Sequence, residues 1–430
     1  LLWIAVCAPP LAAADELMPT IVPVLVDRCL VCHDEEQPEG GYQVTTFQQL
    51  FRPGDSQLTP VTGGDVNASE LYQRLISSDP DRRMPADGPP LDERQIAAFS
   101  QWIQQGASVP QDRRESSLVE LLEVDEPREP PAHYPVRWPI TAILIDDPRA
   151  EVIVGGYHEL LVYDRRSGAL VRRISGLSER VMDLDLSVDG LTLAVAGGTP
   201  GRRGDVRLLD WPAGTAQARI AHSNDLQLCV AYAPAGDRLF VAGADGKLTA
   251  IEVDSRSVVA SFHGHSDWIL GLAVSKDGYY VATASRDGTA KRLSADQLRV
   301  EASFVGHGRA VTAIALTEDG QRAFSGDERG GLMAWSSSGE EPEYRQQVGG
   351  SVMGVRLLAN SVYVLSSTDG PRRFDRDQLT PEPWGLPTAA GYFTTLAAGE
   401  DRLAWGSDDR SFRMVIPEMP ANLLGPIALP

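Results

Sequence analysis

Lysine is nearly missing from this 430-residue chain: only three of its 39 basic residues are lysines (Lys247, Lys276 and Lys291), and 59 acidic residues outnumber the basic set. A surface of that sign argues against nucleic acid as a partner and favours basic partner proteins. Cysteine is scarce as well, at four residues. Cys29, Cys32 and Cys229 alone cannot build a disulfide framework, and no second Cys pair or His pair stands at the spacing a four-ligand structural zinc site needs. Long apolar runs are absent beyond the opening "LLWIAVCAPPLAAADE". It ends in small residues, like the h-region and cleavage site of a secretory signal, and falls short of the ~20 apolar residues of the rival reading, a membrane anchor. Cleavage after Ala14, with Ala12 at the third position before the cut, would leave Asp15 at the mature terminus. Val6 before Cys7 is too large for lipoprotein processing. The expectation is export to the periplasm or beyond in a bacterium, with no stable membrane insertion after cleavage. With 43% hydrophobic and 23% charged residues the remainder reads as soluble and globular, and its length calls for two or more domains.

What is present begins with "CLVCH", Cys29 to His33. A CxxC pair alone suggests a redox dithiol, but His33 follows at once and no βαβ pattern surrounds it. The five residues have the form of a c-type haem attachment site. Two thiols at this spacing add to the two vinyl groups of one porphyrin, and the adjacent histidine lies under the iron.

The flanking sequence predicts a small helical domain. Pro23 suits the first turn of a helix, "PVLVDRC", running into the motif. In "LDERQIAAFSQWIQQGA", Asp92 is the N-cap with Gln95 three residues on, Ile96, Phe99 and Ile103 form a stripe, and Gly106 stops the helix. Phe99 and Trp102 read as pocket or core aromatics. "RRMPADGPP" places Met84 in a proline-rich loop, where its thioether is the candidate sixth iron ligand. The alternative is that Met84 only packs against the ring; His133 is the weaker substitute.

Residues 16 to 107 resemble the planctomycete-type cytochrome c domain, a class I relative. The resemblance rests on "VPVLVDRC", Cys29, Cys32 and His33, the pair Gly40 and Gly41, "GGDVNASELYQRL", Met84 with Pro85, and "WIQQGA". It implies one covalent haem c with His33 and Met84 as axial ligands to iron. The segment "FRPGDSQLTP", 51 to 60, departs from the family in carrying less glycine.

A stretch rich in proline and charge follows, with "SLVELLEV" as one short amphipathic helix within it. Beyond it the pattern alternates: in "VMDLDLSV", Met182, Leu184, Leu186 and Val188 oppose Asp183, Asp185 and Ser187, as in a half-buried strand. Units ending at Gly190, Gly236, Gly278 and Gly320 recur, and His222, His265 and His307 recur in step at the ~40–45-residue period of a four-stranded propeller blade. Seven units begin near Ile140, Val181, Leu226, Ile269, Val311, Val352 and Phe393. The last ends after its third strand, "SFRMVI", so an outer strand from around 132 to 138 is expected to close the ring.

These repeats resemble WD40 repeats. His265, Thr283 and Asp287 stand at the family's structural hydrogen-bonding positions, with Leu293 in place of tryptophan. The next unit keeps His307, Ser325 and Trp335 while Arg329 stands near the expected aspartate, so no unit is complete. One histidine per repeat points to a structural role. Cys229 reads as a small buried residue, and Arg202 and Arg203 project from the glycine-rich hairpin 197 to 205, either solvated or touching an anionic partner.

The expected architecture is a small all-α class I cytochrome c domain (15–110), a linker (111–137), an all-β WD40-like propeller of seven blades (138–419) and a tail (420–430), after a signal remnant (1–14). The expected function is electron transfer by an exported monohaem cytochrome to a redox partner protein, with the propeller as a protein-interaction platform. A haem-dependent oxidoreductase with a substrate site on the propeller, or a surface scaffold or sensor, are the alternatives.

Overall fold

The computed structural model describes residues 17–30, 32–33, 38–86, 89–121, 130–134, 138–223, 225–336, 341–386 and 391–430. The expected signal segment and its cleavage point lie outside them. The chain divides into two units, Leu1–Glu126 and Pro127–Pro430.

The first unit is helical. Helices α1 (Met18–Val24), α2 (Phe47–Leu50), α3 (Glu70–Leu75), α4 (Glu93–Gln104) and α5 (Leu118–Leu121) surround one core. Ile21 and Leu25 from the first helical segment meet Phe99, Trp102 and Ile103 from α4, all fully buried. Asp92 caps α4 as expected: its side chain accepts from Gln95 N at 2.8 Å while Gln95 returns a bond to Asp92 N. Gly106, at φ +97°, takes the left-handed conformation past the end. Phe99 and Trp102 belong to the core, Trp102 packing on Phe47 and donating to Ser108 O.

One start differs. Helix α1 begins at Met18 with proline in its first turn, and Pro23 lies inside it rather than at its start. Pro23 offers no N–H to the turn above, and the helix widens directly after it into a π turn, Leu25–Cys29, closed by Leu30 N donating to Leu25 O at 2.9 Å.

Of the expected linker 111–137, residues 122–129 and 135–137 lie outside the described residues. Leu118 is buried in the helical core and Ser117 bridges to Thr46, so residues up to α5 pack with the first unit.

The second unit is β throughout. Sheet I (143–223) has seven strands in chain order, and sheets II (227–262), III (269–304), IV (311–347), V (352–382) and VI (393–428) have four antiparallel strands each. Sheet I is two four-stranded groups sharing the strand Leu170–Leu186, which pairs with Tyr157–Asp164 along its first part and with Thr192–Thr199 from Arg180 onward. A repeated turn sets the hairpins. Ser187, Ser275 and Thr317 donate to Asp189, Asp277 and Asp319, each at 2.6 Å, and the next residue is a glycine at φ +69°, +77° or +62°. Val188 is exposed in the first of these turns, beyond the strand end at Leu186.

The first strands of sheets II to VI pack on one another in succession, that of sheet II packs on the shared strand Leu170–Leu186 of sheet I, and that of sheet VI packs on the first strand of sheet I. Threonine hydroxyls tie them: Thr141 donates to Val181 O, Thr312 to Val352 O, and Thr394 to Ile140 O, each at 2.5 Å. The strand Met419–Ala428 is the fourth of sheet VI, paired with Ser411–Ile416. The segment expected as a tail, 420–430, thus supplies the fourth strand; of the outer strand expected from 132–138, residues 135–137 lie outside the described residues. The prolines at 420 and 426 fall where the register shifts, which an outermost strand tolerates.

Asp183 and Asp185 do a related job between sheets I and II. Their carboxylates accept from Val230 N at 3.0 Å and Tyr232 N at 2.6 Å. Burial, opposed by these bonds and by the Arg356 charge, raises Asp183 to about 6 and Asp185 to about 7. Unfolded carboxyls titrate near 3.9, so the folded chain binds these protons more tightly and the pair's contribution to stability grows as pH falls from about 7 toward 4. The double variant Asp183→Asn with Asp185→Asn should therefore have its largest gain in thermal midpoint over the parent at pH 8, shrinking toward pH 5. Calorimetry at both values checks this, and a difference independent of pH would contradict it.

Candidate functional site

The motif is shaped by its own backbone. Cys32 N and His33 N both donate to Cys29 O, at 3.2 and 3.0 Å, so the chain turns tightly and gathers Cys29, Cys32 and His33. The downstream chain pins the turn, Glu39 N donating to Cys32 O and Val44 N to His33 O, each at 2.9 Å. His33 Nδ1 lies 3.1 Å from Tyr42 O. A carbonyl only accepts, so Nδ1 carries the proton and Nε2 keeps its lone pair. Tyr42 is itself held, its hydroxyl donating to Leu50 O at 2.8 Å and its ring lying edge-on to the imidazole at 5.3 Å.

Cys29, Cys32, His33 and Met84 all line one cavity of about 440 Å³. Met84 reaches it because its backbone N–H donates to Arg74 O at 3.0 Å, hanging the loop from the end of α3. The segment 51–60 supplies a wall through Gly54, Asp55, Ser56, Leu58 and Pro60. It is laid against the Gly40–Gly41 turn, with Asp55 N donating to Gly40 O at 2.7 Å. A Cβ on Gly54 would sit 2.5 Å from Gly40 O, so that backbone approach demands glycine. Burial pushes the Cys29 thiol up to about 12, Arg28 opposing and Cys32 adding, so it is a neutral thiol. Burial also raises the Tyr42 phenol. His133 is exposed and belongs to the second unit.

The donors fit a haem. His33 is the one imidazole among the described lining residues, and a single imidazole with a thioether suits an iron whose other four positions are porphyrin nitrogens. Among the described residues no group of three or more His, Cys, Asp or Glu is arranged to hold a metal ion by itself.

In the second unit, His265 Nδ1 lies 2.8 Å from Asp287 Oδ2 and its Nε2 2.8 Å from Thr283 Oγ1. Burial would raise Asp287, but bonds from His265 and Thr289 bring it down to about 2, while burial lowers His265. In sheet IV the set is complete, which corrects the expectation that no unit would be. Trp335 Nε1 donates to Ser325 Oγ at 3.0 Å, His307 Nε2 lies 2.7 Å from that hydroxyl, and His307 Nδ1 lies 2.9 Å from Asp327 Oδ2. The acid is Asp327, two residues before Arg329. These histidines are buried in closed networks and are structural. His222 falls in the strand Thr215–Ser223. Cys229 is buried, and Arg202 is exposed at the hairpin between strands Thr192–Thr199 and Arg203–Asp210.

Comparison with known families agrees with both units. Residues 29–88 match the family described as Planctomycete cytochrome C, and residues 256–291 match WD domain, G-beta repeat. The chain fuses a cytochrome c domain of that family to WD40 repeat sequence. No curated protein matches it. The first match takes in Cys29, Cys32, His33 and Met84, and membership of that family implies haem binding. Domains of this type are typically exported, and no helix among the described residues is long and apolar enough to cross a membrane. The second match takes in His265, Thr283 and Asp287, and WD40 repeats imply protein–protein interaction.

Because the Gly54 wall leaves no room for a methyl group, Gly54→Ala should destabilise the cytochrome c domain by about 1–3 kcal/mol and lower the haem content of purified protein. Absorbance per chain and a thermal scan measure both; unchanged haem content and midpoint would contradict the role given to this wall.

Proposed function

We propose that the chain is an exported, periplasmic monohaem c-type cytochrome that passes electrons to a redox partner protein. Cys29 and Cys32 would hold one haem through thioether bonds, and His33 Nε2 and Met84 Sδ would ligate its iron. The observation that carries this reading is the convergence of these four residues on one cavity, although Met84 is far from the motif in sequence. Haem bound there supplies a one-electron iron couple. The protein's part is positional. The Tyr42 carbonyl holds the imidazole in the Nδ1–H form, the Arg74 carbonyl holds the Met84 loop, and Val44, Leu71 and Leu75 make the lining apolar. Arg28 and Arg74 are the cations of the lining and the candidates to meet the porphyrin carboxylates. With His33 and Met84 both given to the iron, the protein would leave it no position for a substrate, which favours electron transfer over enzymatic chemistry.

The second unit is read as a closed seven-bladed propeller. Sheet I counts as two blades, sheets II to VI supply the rest, and the Thr394 bond to Ile140 O supports closure between last and first. Its role in this reading is to present a protein-binding surface, and the acidic balance of the chain favours a basic partner. On this account the domains are a cytochrome c domain reaching α5, a short linker, and a propeller running from about Trp138 to the strand Met419–Ala428.

Met84 is the decisive ligand to test. Haem-loaded parent protein should show a sulfur-to-iron charge-transfer band in the oxidised state, and Met84→Ala should abolish the band and lower the reduction potential while haem stays attached. A band and potential unchanged in Met84→Ala would rule out the Met84 assignment.

A further inference from the structure

Sheet VI lacks the closed side-chain network of sheet IV, and a cleft lies where that network would be. In sheet IV, Ser325 pairs in register with Ile314 and Met333; in sheet VI the same register joins Leu396, Trp405 and Arg413. Trp405 thus takes the place of the structural serine and Arg413 that of Met333. Beside sheet IV, Phe304 from the outer strand of sheet III stacks on Trp335 at 5.2 Å and fills the gap. Beside sheet VI the outer strand of sheet V is only Pro381–Glu382, pairing with Arg373 and Phe374 alone. The result is a cavity of about 470 Å³ between sheets V and VI.

Two donors in its lining are uncommitted. Trp405 is 2% exposed, and its Nε1 is buried with no hydrogen-bond partner. Arg413 has no carboxylate partner among the described residues; its contact is Ser407 Oγ at 3.5 Å. As cross-strand partners the two side chains are neighbours on one face of the sheet. The other lining charges are paired: Arg372 with Asp369 at 3.2 Å, and Arg373 with Glu382 at 2.7 Å and with Glu418 at 3.7 Å. Arg413 is thus the cation of the lining without a carboxylate beside it among the described residues. The remaining walls are apolar, with Phe393, Trp384 and Leu423 among them.

We propose that this cleft binds an organic monoanion, a carboxylate carried on an aromatic or aliphatic body, with the carboxylate accepting from Trp405 Nε1 and Arg413 and the body packed among the aromatic walls. A buried N–H without an acceptor is rare in a folded protein, and a guanidinium beside it suits a carboxylate. One guanidinium without a carboxylate partner matches one carboxylate. The carboxylate belongs either to a small free acid or to the C-terminus of a peptide. The site is independent of the haem reading.

The test uses the full chain with 3-phenylpropionate and the peptide acetyl-Leu-Phe with a free carboxylate, each against its neutral amide. Binding is read by calorimetry and by the indole N–H resonance of Trp405, assigned with Trp405→Phe. At least one acid should bind saturably and at least tenfold more tightly than its amide, shift the Trp405 resonance, and lose tenfold or more in Arg413→Gln. Which acid binds distinguishes the two sources. Thermal midpoints confirm that the variant is folded, and Arg413→Lys, which keeps the charge, should retain part of the affinity. No saturable binding of either acid at millimolar concentration, equal binding of the amides, or full affinity in folded Arg413→Gln would overturn the proposal.

Discussion

The contact between His33 Nδ1 and the Tyr42 carbonyl decides what the first unit can do. Because a carbonyl cannot donate, the contact fixes the imidazole tautomer, and with it which nitrogen is free to bind a metal. Much of the surrounding structure keeps that carbonyl in place. Tyr42 is anchored at its hydroxyl by Leu50 O, Val44 N returns a bond to His33 O, and the glycine-paired loops at 40–41 and 54 set the path of the chain on either side.

The second unit rests on a different economy. Backbone groups on the first strands of sheets II and V, at Ile140 and at Val181 are satisfied by side chains from neighbouring strands. Thr141, Thr312 and Thr394 serve carbonyls, while Asp183 and Asp185 serve N–H groups. Buried charge is the cost at the second kind of contact, which is why those two carboxyls titrate far above the ordinary range. Farther out, the His–Ser–Trp–Asp network of sheet IV fills the space between neighbouring sheets. Where sheet VI replaces it with Trp405 and Arg413, space and an unmatched donor remain.

Much of this was legible in the sequence because it is local. The Asp92–Gln95 capping box, the spacing of Cys29, Cys32 and His33, and the Asp–Gly turns at 189–190, 277–278 and 319–320 each depend on residues a few positions apart. What the sequence did not yield depends on distant partners. Asp327 replaces the expected aspartate because it reaches His307 from two residues earlier than Asp287 reaches His265. The strand Met419–Ala428 is marked by prolines that forbid an interior strand and are tolerated only at an outer edge. Pro23 read as a helix start, yet the helix continues through it by widening into a π turn. The Trp405–Arg413 pair has no motif at all, since it exists only through cross-strand register.

The central claim is that Cys29 and Cys32 hold one haem covalently. The most direct test is the intact mass of the exported protein, expressed with c-type haem maturation machinery and measured under denaturing conditions. The account predicts the mass of the chain plus one haem, retained through acid and organic solvent and lost when both cysteines are replaced by alanine. Correctly exported protein at the mass of the bare chain, or haem that dissociates on denaturation, would contradict it.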